Sequence, residues 1–350
     1  MAARVTFAVP GDLEALTGGY GYDRRIVAEL RRLGWQVDVL MLGEGFPRPS
    51  AAQKAIAAER LAAASADGPI VIDGLAFGAL PEVATALQAR RSLVALVHHP
   101  LALETGLAAA EAERLHRSER TALAAARRVI ATSRMTAATL AATFDVPAGS
   151  IDVVVPGTDR APFFATGDGR SPRLLSVAAV VQRKGFDILI EALSRLADLP
   201  WHLTIAGDRT RDPAAVAVLD AAVARHRLAG RIDCAGAVPA ERLAALYAGA
   251  DLFVLASYYE GYGMAYAEAI AHGLPVIGTT GGAIPEVVPA TAGRLVPPGN
   301  VDALATALCE VLGDSDLRGT LRTGARSAAA ALPSWADSGA RFGRALDLLL

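Results

Sequence analysis

Two glutamates, Glu260 and Glu268, are separated by seven residues in the run SYYEGYGMAYAEAIAHGLPVIGT. Between them lies Gly261-Tyr262-Gly263, and a helix is expected to begin near Met264 and Ala265. Glycines in such a turn reach positive φ and let backbone N–H groups approach a ligand closely. The first amides of a helix lack intrahelical partners and carry partial positive charge, which suits a phosphate. Carboxylates beside them can accept hydrogen bonds from sugar hydroxyls, so one short segment could hold an activated sugar at both ends. The plainer alternative makes Glu268 an early-turn residue that complements the helix dipole.

Three further clusters carry chemistry. Gly18-Gly19-Tyr20-Gly21 precedes a helix bearing Asp23, Arg24 and Arg25, where backbone could touch a phosphate or a reacting sugar. Its spacing is not G-x-G-x-x-G, and Val39-Leu40-Met41 is apolar where a ribose-binding acid would stand, which disfavours a dinucleotide site. A surface loop is the alternative there. His98-His99-Pro100 ends an apolar strand, at the edge where ligands of α/β sheets gather. Either imidazole could donate to a sugar hydroxyl or stabilise charge, or be a hydrogen-bonded structural histidine. Adjacent strand residues point to opposite faces, so the pair is a poor metal chelate. Arg183 and Lys184, followed by Gly185, come shortly after a strand near 174–178. Two cations there could neutralise a leaving diphosphate without a metal; a solvated loop pair is the alternative.

The elements that must position these groups alternate. β-branched runs at 4–9, 36–40, 70–73, 92–98, 128–132 and 151–155 are interleaved with amphipathic stretches at 22–33, 51–66, 111–126 and 135–144. A second series runs from 174 to 278, after a Pro- and Gly-rich linker at 156–173. This rhythm predicts parallel βαβ units and an α/β fold of two doubly wound, Rossmann-like domains, 1–160 and 170–332, whose strand C-termini face a shared cleft. Phe342, Leu346 and Leu349 fall on one helical face, so 333–350 is expected to form a helix that docks back on the N-terminal domain. The length of 350 residues suits two domains.

Charge is balanced, 34 basic against 36 acidic residues, and no basic run suggests a nucleic-acid partner. No apolar stretch approaches the roughly 20 residues that span a bilayer. The N-terminus enters a strand pattern without signal-peptide features, so the chain reads as cytoplasmic. Arginines and glutamates interleaved through 111–128 read as a solvated face, with peripheral attachment to the inner membrane surface left open. Cys234 and Cys309 fit no disulfide or metal pattern and are expected to be buried thiols.

With these segments in hand, the chain resembles the retaining nucleotide-sugar glycosyltransferases of family 4, which have the GT-B fold of two facing Rossmann-like domains. The likeness runs through Gly18-Gly19, the strand ending at His98, VVVPGTDRAPF, QRKGFDILIEAL, LTIAGD and, most specifically, EGYGMAYAEAIAHGLPVIGTTGGAIPEVV. It implies that Glu260 contacts donor-sugar hydroxyls and that backbone at Gly261, Tyr262, Gly263, Met264 and Ala265 meets the sugar and diphosphate. It further implies that Glu268 binds the ribose, Lys184 the diphosphate, that Gly18 and Gly19 lie beside the diphosphate, and that His98 stands near the reacting carbon. Family members often carry S-V-G-R where this chain has Ser176-Val177-Ala178-Ala179; Arg183 is then the candidate to supply the missing charge.

The implied reaction retains anomeric configuration, the acceptor attacking from the face the diphosphate leaves, with UDP- or GDP-sugar as donor and neither cofactor nor metal. Tyr20, Tyr22, Arg24 and His99 are acceptor-side candidates, for a small-molecule, glycan or lipid hydroxyl, in a monomer or homodimer. A catalytically silent sugar-nucleotide sensor and a nucleotide-sugar epimerase are the alternatives. A phosphorylase would need a pyridoxal lysine, and the only lysines are Lys54 and Lys184.

Overall fold

A computed structural model describes residues 3–15, 17–163 and 171–350. The chain divides into two compact units, Met1–Gly157 with Pro333–Leu350, and Thr158–Leu332. Residues 164–170 of the expected linker lie outside the described residues, as do 1–2 at the N-terminus and 16 in the glycine-bearing loop.

The first unit comprises β1 (Arg4–Val9), α1 (Gly18–Arg32), β2 (Gln36–Met41), α2 (Ala51–Ala63), β3 (Ile70–Asp73), α3 (Gly74–Phe77), α4 (Pro81–Leu87), β4 (Leu93–Val97), α5 (Ala109–Ala124), β5 (Arg128–Ala131), α6 (Arg134–Thr143) and β6 (Ile151–Val153). Its six strands form one sheet in the order β2-β1-β3-β4-β5-β6, every pair parallel. Parallel strands are covered on both faces, which is why β3 and β4 read as unbroken apolar runs, IVID and LVALV, and are buried throughout.

The second unit comprises β7 (Arg173–Val177), α7 (Phe186–Ser194), β8 (His202–Ala206), α8 (Pro213–Arg225), β9 (Ile232–Gly236), α9 (Ala240–Gly249), β10 (Leu252–Val254), α10 (Met264–Ala271), β11 (Val276–Thr279), α11 (Ile284–Val287), β12 (Gly293–Val296), α12 (Val301–Gly313) and α13 (Ser315–Ala329). Its parallel sheet has the order β12-β11-β10-β7-β8-β9. In both sheets the strand order reverses direction partway across, the doubly wound arrangement that collects ligands at strand C-termini.

α14 (Trp335–Asp347) belongs to the first unit and buries Phe342 and Leu346. A Cβ on Gly339 would lie 2.3 Å from the Cβ of Glu29, so glycine lets α14 cross α1 in direct contact. Phe342 meets Phe7 of β1 with ring centroids 6.1 Å apart.

Several expectations need correction. Gly18 to Gly21 form the first turn of α1 rather than a loop before it, because the Thr17 hydroxyl caps the helix by accepting from the Tyr20 N–H at 3.1 Å. α3, α4, β12, α12 and α13 were not anticipated. Cys309 is exposed and Cys234 half-buried, not core thiols. Residue 309 falls off the α12 face formed by Leu304, Leu308, Val311 and Leu312.

Candidate active site

In the second unit the chain leaving β7 makes one tight turn, Gln182–Lys184, before α7. Gly185 ends that turn at φ +61°, and a Cβ there would sit 2.2 Å from the Ala256 carbonyl oxygen. Only glycine allows this backbone to press against the segment leaving β10. The two segments are then stitched together: the Tyr258 N–H donates to the Arg183 carbonyl at 2.8 Å, and Arg183 Nη1 donates to the Tyr259 carbonyl at 2.7 Å.

This brings the Arg183–Lys184 pair and Glu260, read from separate segments of the sequence, into one cluster. Glu260 Oε1 accepts from Lys184 Nζ at 2.5 Å and from Ser257 Oγ at 2.6 Å, while Arg183 Nη1 lies 3.3 Å from Oε2. The carboxylate side chain is 9% exposed. Burial alone would raise its pKa, but the adjacent Lys184 and Arg183 charges outweigh burial and bring it down to about 2. Glu260 is therefore ionised, and its charge holds both cations in place. Arg183 is directed at Glu260 and the Tyr259 carbonyl, while the chain at Ala178 packs so closely on Gly207 that a Cβ there would meet the Ala178 oxygen at 1.8 Å.

The loop after β11 braces the other side. Thr279 Oγ1 donates to the Ser257 carbonyl at 2.5 Å, the Ala283 N–H donates to the Glu260 carbonyl at 2.8 Å, and Glu260 bridges Gly282 as an isolated parallel pair. Gly282 has φ +67°, and a Cβ on it would stand 2.2 Å from the Glu260 oxygen. Of the two glycines in the 261–263 turn, only Gly263 takes positive φ, +99°, as the N-cap of α10. Tyr262 is buried, 8% exposed. Met264 and Ala265, the first residues of α10, are partly exposed. Glu268, one helical turn further on, accepts from the Tyr247 hydroxyl at 2.8 Å, and burial pushes its carboxyl above the usual glutamate range. Tyr247 was not singled out in sequence; it stacks on His272 with centroids 4.7 Å apart.

In the first unit, Gly18 and Gly19 open α1, and a Cβ on Gly19 would be 3.5 Å from the His98 ring. His98 Nε2 lies 3.1 Å from Asp23 Oδ1 and 3.4 Å from Asp73 Oδ2, both carboxylates fully buried. Neither aspartate was anticipated as its partner. Their signal was an acid closing the apolar strand β3 and another on the first turns of α1. The three ligand atoms lie within 4.8 Å of one another, a spacing that a divalent ion would also accept. His99 Nε2 is 3.8 Å from Glu104.

The acceptor-side residues are placed differently from expectation. Tyr22 is fully buried, its hydroxyl donating to the Val154 carbonyl at 2.9 Å, so it cannot line a site. The Tyr20 hydroxyl donates to the Pro10 carbonyl and Arg24 Nη1 to the carbonyls of Leu13 and Ala15. Both side chains brace the loop before α1.

Residues 171–314, which include the Glu260 cluster, match the family model of Glycosyl transferases group 1. That match takes in residues 171–314 of the 350, so this part of the chain is similar to the group 1 glycosyltransferases. Among curated relatives, the chain is 30% identical over 238 residues to the GDP-mannose-dependent alpha-(1-6)-phosphatidylinositol monomannoside mannosyltransferase of Mycolicibacterium smegmatis, covering 61% of the chain and 60% of that relative. It is 29% identical over 291 residues to the MMP alpha-(1->4)-mannosyltransferase of Mycolicibacterium hassiacum, covering 77% of the chain and 67% of the relative. The chain thus spans about three fifths of the length of the first of these. Among solved structures, sucrose-phosphate synthase from Thermosynechococcus elongatus superposes with a TM-score of 0.83 at 22% identity, covering 98% of each chain. Anabaena HepE, in complex with UDP and glucose, gives 0.80 at 19% identity over 99% of this chain and all of its own. These likenesses make the fold GT-B: two Rossmann-like α/β domains.

Proposed function

We propose that this protein is a glycosyltransferase that moves a hexosyl group from a nucleoside-diphosphate sugar to an acceptor hydroxyl, with retained anomeric configuration and without a metal. The observation that carries this reading is the Lys184–Glu260–Arg183 cluster at the foot of the α10 N-terminus. A diphosphate beside it would meet two cations and the first amides of α10, at Met264 and Ala265, which together supply the charge compensation a metal would otherwise provide. Glu260 holds the cations and offers its carboxylate edge to the sugar hydroxyls. Glu268, oriented by Tyr247, takes the ribose. His98 acts on the transferred sugar. Relatives described as GDP-mannose-dependent and a structural neighbour solved with UDP and glucose support UDP- and GDP-sugars as the donors to test first.

The test is release of nucleoside diphosphate from UDP-, GDP- and ADP-sugars, with Glu260→Ala and Lys184→Ala as controls. Release from at least one donor, lost in both variants, supports the transferase. Binding without turnover, whatever acceptor is offered, points instead to a sensor, and acceptor-free isomerisation of the sugar to an epimerase. Failure to bind any nucleotide sugar refutes all three.

A further inference from the structure

The His98 cluster contains more structure than contact with a sugar requires. The imidazole is enclosed on several sides. Gly19 backs the ring, Tyr22 meets it edge-on with centroids 5.2 Å apart at 83°, and Asp23, from the same helix, reaches Nε2. Asp73 approaches from the end of β3, and the Thr132 hydroxyl donates to the His98 carbonyl at 3.3 Å. Asp73 is itself fixed: its Oδ1 accepts from the Leu75 N–H at 2.8 Å, and a Cβ on Gly74 would stand 2.9 Å from the Leu96 oxygen, so this turn lies tight against β4.

We propose that Asp23 and Asp73 are positioning residues for His98: they hold its Nε2–H between them and leave Nδ1–H as the ring's donor toward an oxygen of the sugar substrate. A neutral imidazole has one N–H; once Nε2 donates, its Nδ1 can only accept. Donation from both nitrogens requires the imidazolium. Two buried carboxylates facing one ring supply the charge for that form, and Asp23 Oδ2 is buried with no hydrogen-bond partner among the described residues. Among the described residues, Nδ1 makes no hydrogen bond to the protein, and the side chain is 22% exposed. The electrostatics agree with the geometry. Burial, the largest single effect, would lower the pKa of His98, but the charges and hydrogen bonds of Asp23 and Asp73 together outweigh it, and the ring is pushed up to about 10. Asp23 is raised to about 7, chiefly by burial, with His98 opposing and Asp73 adding to the rise. The 3.1 Å Nε2–Oδ1 separation is that of a direct hydrogen bond. Only the ligand's identity depends on the transferase reading.

The test is 15N NMR of histidine-labelled full-length protein, which has six histidines, with His98→Gln identifying the signal. Wild type is expected to show two imidazolium-like ring nitrogens on His98 near pH 8, and Asp23→Asn and Asp73→Asn are each expected to move the titration midpoint down by more than about one pH unit. Asp73→Asn keeps the cap to Leu75, so it remains informative if Asp23→Asn does not fold. With any donor the wild type turns over, both variants are expected to lower kcat about tenfold or more while donor KM stays within about threefold. A neutral His98 in wild type near pH 7 would overturn the proposal, as would a midpoint unmoved in both variants. So would tight binding of Mn2+ or Zn2+ that Asp23→Asn abolishes. If no nucleotide sugar reacts, the transferase reading fails while the NMR measurement still decides the positioning.

Discussion

Lys184→Met removes the 2.5 Å partner of a carboxylate that is 9% exposed, and its cost can be estimated from the surroundings left behind. Deleting one partner of a buried pair costs about 3–5 kcal/mol, because the other charge stays buried. Here Arg183 at 3.3 Å and the Ser257 hydroxyl at 2.6 Å remain to serve Glu260, so the low end applies, about 3 kcal/mol. For a unit of about 175 residues this corresponds to a fall of about 6–12 °C in melting temperature. The pH dependence separates this cause from lost packing. In wild type the Glu260 pKa is depressed to about 2, so its stabilisation is present above the ordinary glutamate value and lost as pH falls through about 2. In the variant the carboxyl moves back up and can take a proton, so the deficit is largest at neutral pH and narrows below about pH 4. Lys184→Met with Glu260→Gln should recover most of the loss. The assay is thermal melting across pH, with hydrogen exchange of peptides from 171–332 locating the transition. A variant melting within about 1 °C of wild type at neutral pH, or a double variant no better than the single, would refute the reasoning.

Three other outcomes are expected. Gly185→Ala and Gly282→Ala each force a Cβ to within 2.2 Å of a carbonyl oxygen at positive φ, and should cost about 2–4 kcal/mol by denaturant titration; values near zero would show that the two loops can separate. Glu119, buried in α5 and accepting from the Leu101 N–H at 2.9 Å, is raised by burial to about 8. Its contribution is full below the ordinary glutamate value and is lost as pH rises through about 8, so Glu119→Gln should flatten the decline in melting temperature between about pH 5 and pH 8. Tyr247→Phe deletes the hydroxyl that orients Glu268 and should cost about 1 kcal/mol of stability while weakening nucleotide binding severalfold, measured by calorimetry.

Apolar patterning made most of the fold legible, because strands covered on both faces leave runs such as LVALV with no competing reading. Glycine misled where local propensity and tertiary packing disagree. Gly18, Gly19 and Gly21 argue against a helix, yet the Thr17 cap and the burial of Tyr22, Ile26, Val27 and Leu30 carry one through them. Gly74, Gly78 and Pro81 hid α3 and α4 in the same way. At the candidate site, residue types at strand ends marked Glu260, Lys184 and His98, since a charge at the end of an apolar strand is seldom idle. Their pairing was not legible. Lys184 and Glu260 are 76 residues apart in sequence, and Asp23 and His98 are 75 apart. Such pairs are created by sheet order, which a single sequence does not encode locally. Tyr22 illustrates the opposite error: a tyrosine near a glycine turn reads as a ligand contact until burial shows its hydroxyl holding the chain at Val154.

Calorimetric titration of the full-length protein with UDP-, GDP- and ADP-sugars tests the central claim most directly, alongside Lys184→Met and Glu268→Ala. The account predicts that at least one nucleotide sugar binds wild type without added metal and that each variant weakens it about tenfold or more. Absence of binding for all three nucleotides, or affinities that neither substitution changes, would contradict it.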